Sequence, residues 1–267
     1  GSEVSILSKG VSYQMSAIPT TLKVLVAAPP GGGKTFHGLT YPKVAYFGFE
    51  PNGLDTLRSN PQLQKNLVLS EEFVPSADED IKGLFDRLMK ALQLARQYAK
   101  DGKVETLFAD NYTMLAEYRW AYINQYEKQM SSKTGNVDTQ AMYGALRMWL
   151  IDFTLKQIVS FPGNTVISVH ELREGAEEMS EAVYKDAPIQ PNILGSFRQR
   201  LPQLVSAYIA LDVKQIAPNV YKYLAYCTKS RERMTKNRYG LPPVIEDISY
   251  DKIISTLNGN TVPAVPA

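Results

Sequence analysis

Short apolar runs alternate with longer amphipathic stretches along this chain, a pattern that predicts strands and helices in turn. Residues to about Ser16 are weakly patterned and read as a strand or an arm. The first clear strand covers Leu22 to Ala28, with a helix from Lys34. A second runs from Val44 to Phe49 and ends at Glu50, where Pro51-Asn52-Gly53 turns the chain. Ser76-Ala77-Asp78-Glu79 has the spacing of a capping box, and Ile81, Leu84, Phe85, Leu88, Leu92 and Ala95 behind it form one helical stripe. Asp101-Gly102 stops that helix. The third strand, Thr106 to Ala109, ends at Asp110. Helix follows to about Met130, then a polar stretch from Ser131 to Asn136, then helix from near Thr139 to Val159. Pro162-Gly163-Asn164 turns into a fourth strand, Thr165 to Val169, ending at His170. An irregular segment to about Gly195 is acidic and then proline-rich; after it, strands are expected over Leu204 to Val213 and Val220 to Cys227. The tail from Asn258, rich in Asn, Gly and Pro, is expected to be disordered.

Strands alternating with helices argue an α/β fold with a mainly parallel central sheet flanked by helices. In 267 residues this makes one large domain, with an arm over residues 1–19, a core over 20–255 and the tail over 256–267. Ligands of such sheets sit beyond the carboxyl ends of the strands, where Glu50, Asp110, His170 and the glycine-rich stretch after Ala28 all fall. Composition changes the picture little. A hydrophobic content of 44% and a charged content of 21% suit a globular chain with a sizeable core. The net charge of +2 means that any polyanion must meet a local patch. The single cysteine, Cys227, excludes an internal disulfide framework, fits a reducing cytoplasm and reads as buried strand filler. No apolar run is long enough to span a bilayer and no signal-peptide pattern is present, so no membrane is expected; Gly1-Ser2 reads as a remnant of expression.

The candidate chemistry starts at Ala28-Pro29-Pro30-Gly31-Gly32-Gly33-Lys34-Thr35. Glycines after a buried strand let backbone N–H groups close round anionic oxygens, and the following helix adds its positive end. Pro30, Gly31, Gly32, Gly33, Lys34 and Thr35 are the expected nucleotide contacts. Lys34, expected to stand exposed on the loop, would reach the β- and γ-phosphates, and Thr35 would hold magnesium through its hydroxyl. The usual pattern has Gly where Ala28 stands, and alanine is tolerable there only if φ stays below zero. Asp110 is the expected second magnesium-associated group; a helix cap is the plain alternative. Glu50 is the candidate for orienting the water that attacks a γ-phosphate, against a simple turn carboxylate. His170 reads either as a donor to the γ-phosphate or as an ordinary strand-end histidine, and His37 as a surface residue. The basic run Lys229, Arg231, Arg233, Lys236, Arg238 is a solvated face, a nucleic-acid patch, or a source of cations for a neighbouring subunit's phosphate site. Lys236 and Arg238, two apart on an extended segment, share one face.

In this order, Ala28 to Thr35, Val44 to Glu50, Leu107 to Asp110 and Val166 to His170 resemble the RecA-type P-loop ATPase core. More narrowly, they resemble the phage-encoded RecA-like ATPases of single-strand annealing and recombination, over about residues 20 to 250. The resemblance implies ATP and Mg2+ as cofactors, DNA-stimulated ATP hydrolysis, a catalytic Glu50 with Lys34, and a strand order of 5-1-4-3-2. It implies a γ-phosphate sensor at His170, where RecA has glutamine. Lys236-Asn237-Arg238 is similar to RecA's Lys-Asn-Lys, which implies that Lys236 and Arg238 act catalytically across the interface of a homo-oligomer, ring or filament. Single-stranded DNA would meet the Lys128 to Val137 region and the segment after His170, and a single-strand-binding protein is a further implied partner. No separate DNA-gating domain is visible.

Two other classes stay open. One is a nucleotide-switched scaffold that binds ATP and scarcely turns it over. The other is a small-molecule kinase, although no arginine-bearing lid is evident. A ring-forming AAA+ motor would be expected to carry Glu directly after the strand-end Asp, where this chain has Asn111.

Overall fold

The structure is a computed structural model that describes residues 5–8, 11–14, 21–172, 189–230 and 233–259. Two short strands, β1 (Ser5–Ser8) and β2 (Val11–Gln14), pair as an antiparallel hairpin. The main sheet is built on six parallel strands: β3 (Lys23–Ala28), β4 (Val44–Gly48), β5 (Leu67–Glu72), β6 (Thr106–Asp110), β7 (Asn164–Leu172) and β9 (Ala207–Ala217). Their spatial order is β9-β3-β7-β6-β4-β5. Two antiparallel strands, β10 (Val220–Tyr226) and β12 (Val244–Glu246), extend the sheet beyond β9. Two further pieces, β8 (Gln190–Pro191) and β11 (Lys236–Asn237), pair with the end of β7 and the start of β9. The helices are α1 (Lys34–Gly38), α2 (Thr56–Ser59), α3 (Ile81–Lys100), α4 (Tyr112–Tyr126), α5 (Thr139–Phe153), α6 (Phe197–Arg200) and α7 (Tyr250–Leu257), and α5 continues as a wider turn to Val159.

The first five of the six strands expected from the sequence keep the order 5-1-4-3-2, and the sixth, Val220 to Cys227, is β10 beside β9. The full sheet is longer, because β5, which the apolar pattern does not mark, adds an edge beyond β4, while β10 and β12 extend the other side. Side chains alternate across the sheet and are covered on both faces, which explains the near-continuous apolar runs. Leu25, Ala27, Phe47, Leu107 and Ile167 pack with the stripe of α3 and with α4 and α5. Val24, Val26, Tyr46, Phe108 and Val166 pack on the opposite face with Leu39, Tyr41 and Ile253 of α7. That second face carries α1 and therefore the glycine loop.

Three boundaries differ from expectation. Asp80, not Ser76, caps α3, its carboxylate accepting from Gly83 N at 2.7 Å, while Ser76 and Glu79 pair as an isolated bridge. Helix α4 ends at Tyr126 and not near Met130, which pairs instead with Val137. Strand β7 continues to Leu172, so His170 lies within it, followed by β8 pairing. Residues 256 and 257 complete α7; most of the expected tail lies outside the described residues, as does the segment from residue 173 to 188.

Candidate functional site

The loop between β3 and α1 takes the shape that its glycines allow. Gly31 and Gly33 have φ of +75° and +94°, a region costly for residues with a Cβ, and Gly32 N donates to Pro29 O at 2.9 Å. Ala28 remains in β3, opposite His170, and is not among the residues of positive φ, so an alanine is accommodated there. Lys34 is only 7% exposed, contrary to the exposed position expected for it. Burial lowers its pKa below the ordinary lysine value, and the nearby carboxylates of Asp110, Glu50 and Glu171 work against that shift. A desolvated cation facing a cavity is well placed to receive phosphate oxygens. The cavity over the loop measures about 570 Å³ and is also lined by Glu50, Asn52, Asp110, His170, Tyr223, Leu224 and Asp247.

The structure brings Thr35 and Asp110 together: Thr35 Oγ1 donates to Asp110 Oδ2 at 2.8 Å. Two residues that sequence reasoning missed complete this carboxylate's surroundings. Tyr46 Oη donates to Oδ2 at 2.9 Å and Ser168 Oγ to Oδ1 at 2.6 Å. Both lie on the α1 face of neighbouring strands, and strand parity was the signal that could have found them. The donor set is hard oxygen throughout, which suits magnesium; among the described residues no cluster of three or more His, Cys, Asp or Glu could cage a metal. A magnesium ion held by Thr35 beside Asp110 would therefore be completed by phosphate and water oxygens.

Glu50 and His170 face each other, His170 Nε2 standing 2.9 Å from Glu50 Oε1. This contact requires the proton on Nε2, which makes Asn111 Nδ2, at 3.3 Å from the same nitrogen, a neighbour and not its donor. Burial first, and then the Lys34 cation, hold the imidazole below its ordinary pKa, while Glu50 and Asp110 pull it up. The backbone before Glu50 is pinned on both sides: Phe49 N donates to Asp110 O at 2.6 Å, and Tyr118 Oη donates to Phe49 O at 2.6 Å. His170 N in turn donates to Thr113 Oγ1 at the start of α4.

The remaining expected residues lie elsewhere. Lys236 and Arg238 flank Asn237 of β11, beside the start of β9, and do not line the cavity of their own chain. Lys236 Nζ reaches Pro202 O and Gln203 O at 3.3 and 3.4 Å. Arg233 is no part of a solvated face: it is 6% exposed, and its Nη2 lies 3.1 Å from Asp212 Oδ2. Arg231 lies outside the described residues. His37 is not at the surface but 1% exposed, its Nδ1 3.1 Å from Ile248 O and its Nε2 3.1 Å from Tyr41 Oη.

Residues 20–239 match the AAA domain family. The chain belongs to that family. This AAA domain is thus a P-loop ATPase domain, and it is one without the acidic residue expected after Asp110 in a ring-forming motor. Asn111 instead caps α4, its Oδ1 accepting from Met114 N at 3.0 Å. No curated protein matches the sequence of the AAA domain. Among solved structures it is similar to a prototypical ATPase from the type III secretion system of pathogenic bacteria, with 11% identity, a TM-score of 0.43 and coverage of 72% of this chain and 51% of that one. A second is the ATPase EscN from the type III secretion system of enteropathogenic E. coli, with 14% identity, a TM-score of 0.42, and coverage of 72% and 43%. The AAA domain thus spans about half or less of each of these proteins. Among its described residues no helix is long and apolar enough to cross a membrane.

Proposed function

We propose that this AAA domain hydrolyses ATP with magnesium, and that Glu50 orients and deprotonates the attacking water. The observation that carries the reading is the closing of two pairs round one cavity, Thr35 with Asp110 and Glu50 with His170, above the desolvated Lys34. Loop N–H groups and Lys34 would bind the β- and γ-phosphates. Bound magnesium would supply neutralisation of the charge on those phosphates. Water oxygen attacks the γ-phosphorus, its proton passes to Glu50, and the bond to the β–γ bridging oxygen breaks. His170, whose Nε2–H meets Glu50, has a second acceptor to turn to when a γ-phosphate oxygen arrives.

The finer reading, action on single-stranded DNA in recombination or annealing, rests on the RecA-like resemblance. What supports a link to DNA is the continuity of α4. Its first turn contacts His170, and it leads directly into the Lys128 to Val137 region. Self-assembly with Lys236 and Arg238 acting across the interface belongs to the same reading. A switched scaffold is the second reading, favoured by the tie between Glu50 and His170. Steady-state ATPase measured for the parent and Glu50→Gln decides between them. Hydrolysis requires a measurable parent rate and a drop on the order of a hundredfold or more in the variant, with ATP binding kept. A parent that binds ATP without turnover overturns the proposal in favour of the scaffold.

A further inference from the structure

Asp110 is met by hydroxyls from α1 and from two neighbouring strands, not from the phosphate loop alone. Thr35 and Tyr46 both donate to Oδ2, at 2.8 and 2.9 Å, and Ser168 donates to Oδ1 at 2.6 Å. A carboxylate offers about two acceptor positions on each oxygen. Among the described residues these donors fill Oδ2 and leave one position open, on Oδ1.

Tyr46 reaches this oxygen because of its place in the sheet. Gly48 stands opposite Asp110 and Tyr46 opposite Phe108, so the phenol runs along the α1 face towards the strand end. Two glycines clear its path. A Cβ on Gly53 would stand 2.2 Å from Tyr46 Oη, and one on Gly48 would stand 2.7 Å from its Cε1. The ring is fully buried and packs edge-on to Phe108 at 5.5 Å. A phenylalanine would fill that core equally well, so packing does not account for the hydroxyl.

We propose that Tyr46 is a positioning residue for the magnesium site: with Thr35 it fills Oδ2 of Asp110 and leaves Oδ1 as the one place to accept a hydrogen bond from a magnesium-bound water. Without the phenol, Oδ2 regains an open position and the carboxylate loses a fixed orientation. The loss falls on the metal and not on the loop's grip on the phosphates. This rests on the nucleotide reading above.

The test is Tyr46→Phe, with binding of a fluorescent ATP analogue measured in EDTA and across a magnesium titration, and folding followed by circular dichroism and melting. Affinity in EDTA should match the parent within about twofold, while the gain from magnesium should shrink on the order of tenfold, the scale of one hydrogen bond to a charged group. A purely structural role would lower both affinities together or neither. Gly53→Ala supplies a second route, since its methyl displaces the Tyr46 hydroxyl while standing 3.9 Å from Asp110 Oδ2. It should reproduce the weakened magnesium response, and combining it with Tyr46→Phe should relieve the clash and weaken the response no further. A parent with no magnesium-enhanced binding overturns the nucleotide reading itself. A normal parent with an unchanged magnesium response in Tyr46→Phe overturns only the role of Tyr46.

Discussion

Acid should weaken this fold through one side chain, His37. The ring lies on α1, three residues after Lys34, in a site made by residues far along the chain. A backbone carbonyl can only accept, so Nδ1 must donate to Ile248 O, and Nε2 then accepts from Tyr41 Oη. Protonation would set two donors against each other in a buried site. Desolvation accordingly lowers the pKa to about 4 from an ordinary 6.5, with the Ile248 hydrogen bond opposing it. The unfolded chain takes up the proton first, so the stabilisation is complete above pH 6.5 and is lost as pH falls towards 4. A tenfold difference in proton affinity between the folded and unfolded chain corresponds to about 1.4 kcal/mol. The parent should therefore lose about 2 kcal/mol by pH 5 and about 3 kcal/mol by pH 4 from this residue alone. That is a large share of the ~5–15 kcal/mol that holds a domain together. The assay is urea unfolding at pH 7.5, 6, 5 and 4, comparing the parent with His37→Gln, which cannot titrate. Carboxylates and the second histidine, His170, are common to both proteins and cancel in the difference. Parallel stability curves for the two proteins over pH 7 to 4 would refute the reasoning.

Three further outcomes are expected. Lys34→Ala should lose ATP binding in calorimetry by at least tenfold, since it removes the buried ammonium that lines the loop's cavity, and parent-like affinity would sink the site. Single-stranded DNA, if it is the partner, should bind more tightly with a non-hydrolysable ATP analogue and should accelerate hydrolysis. Its log affinity should fall linearly with log salt, and no binding at low salt would remove DNA from the reading. Lys236→Ala with Arg238→Ala should be inactive alone yet regain partial ATPase when mixed with Glu50→Gln, because a mixed interface unites one intact Glu50 with one intact cation pair; no recovery at any ratio excludes action in trans.

How far the site could be read from sequence depended on the range of the interaction. The glycine loop is local: Pro29 to Thr35 carries its own turn geometry, so its shape was legible without knowing any other strand. Glu50, Asp110 and His170 were legible because each follows an apolar run, and parallel strands deliver their carboxyl ends to one edge. The failures share a different cause. His37 and Arg233 carry polar side chains on stretches that look solvent-facing, and each is covered by a partner distant in sequence. Edge strand β5 alternates half-buried and exposed positions over Leu67-Val68-Leu69-Ser70-Glu71-Glu72, so it lacks the continuous apolar run that marks its buried neighbours. The charge of Lys34 suggests the surface, although packing of the loop leaves it only 7% exposed. Tyr46 is the most instructive case. Its residue type says core, and its burial agrees, yet its hydroxyl matters only because Gly48 and Gly53 leave space and Asp110 ends the adjacent strand in register. Counting by twos along Val44 to Gly48 and Thr106 to Asp110 puts Tyr46, Phe108 and Asp110 on one face, as the register between the two strands then shows. Tyr46, a polar tip on an otherwise apolar strand, one residue pair short of the strand-end Asp110 and with Gly48 and Gly53 beside its ring, is therefore placed to make a contact and not merely to fill space.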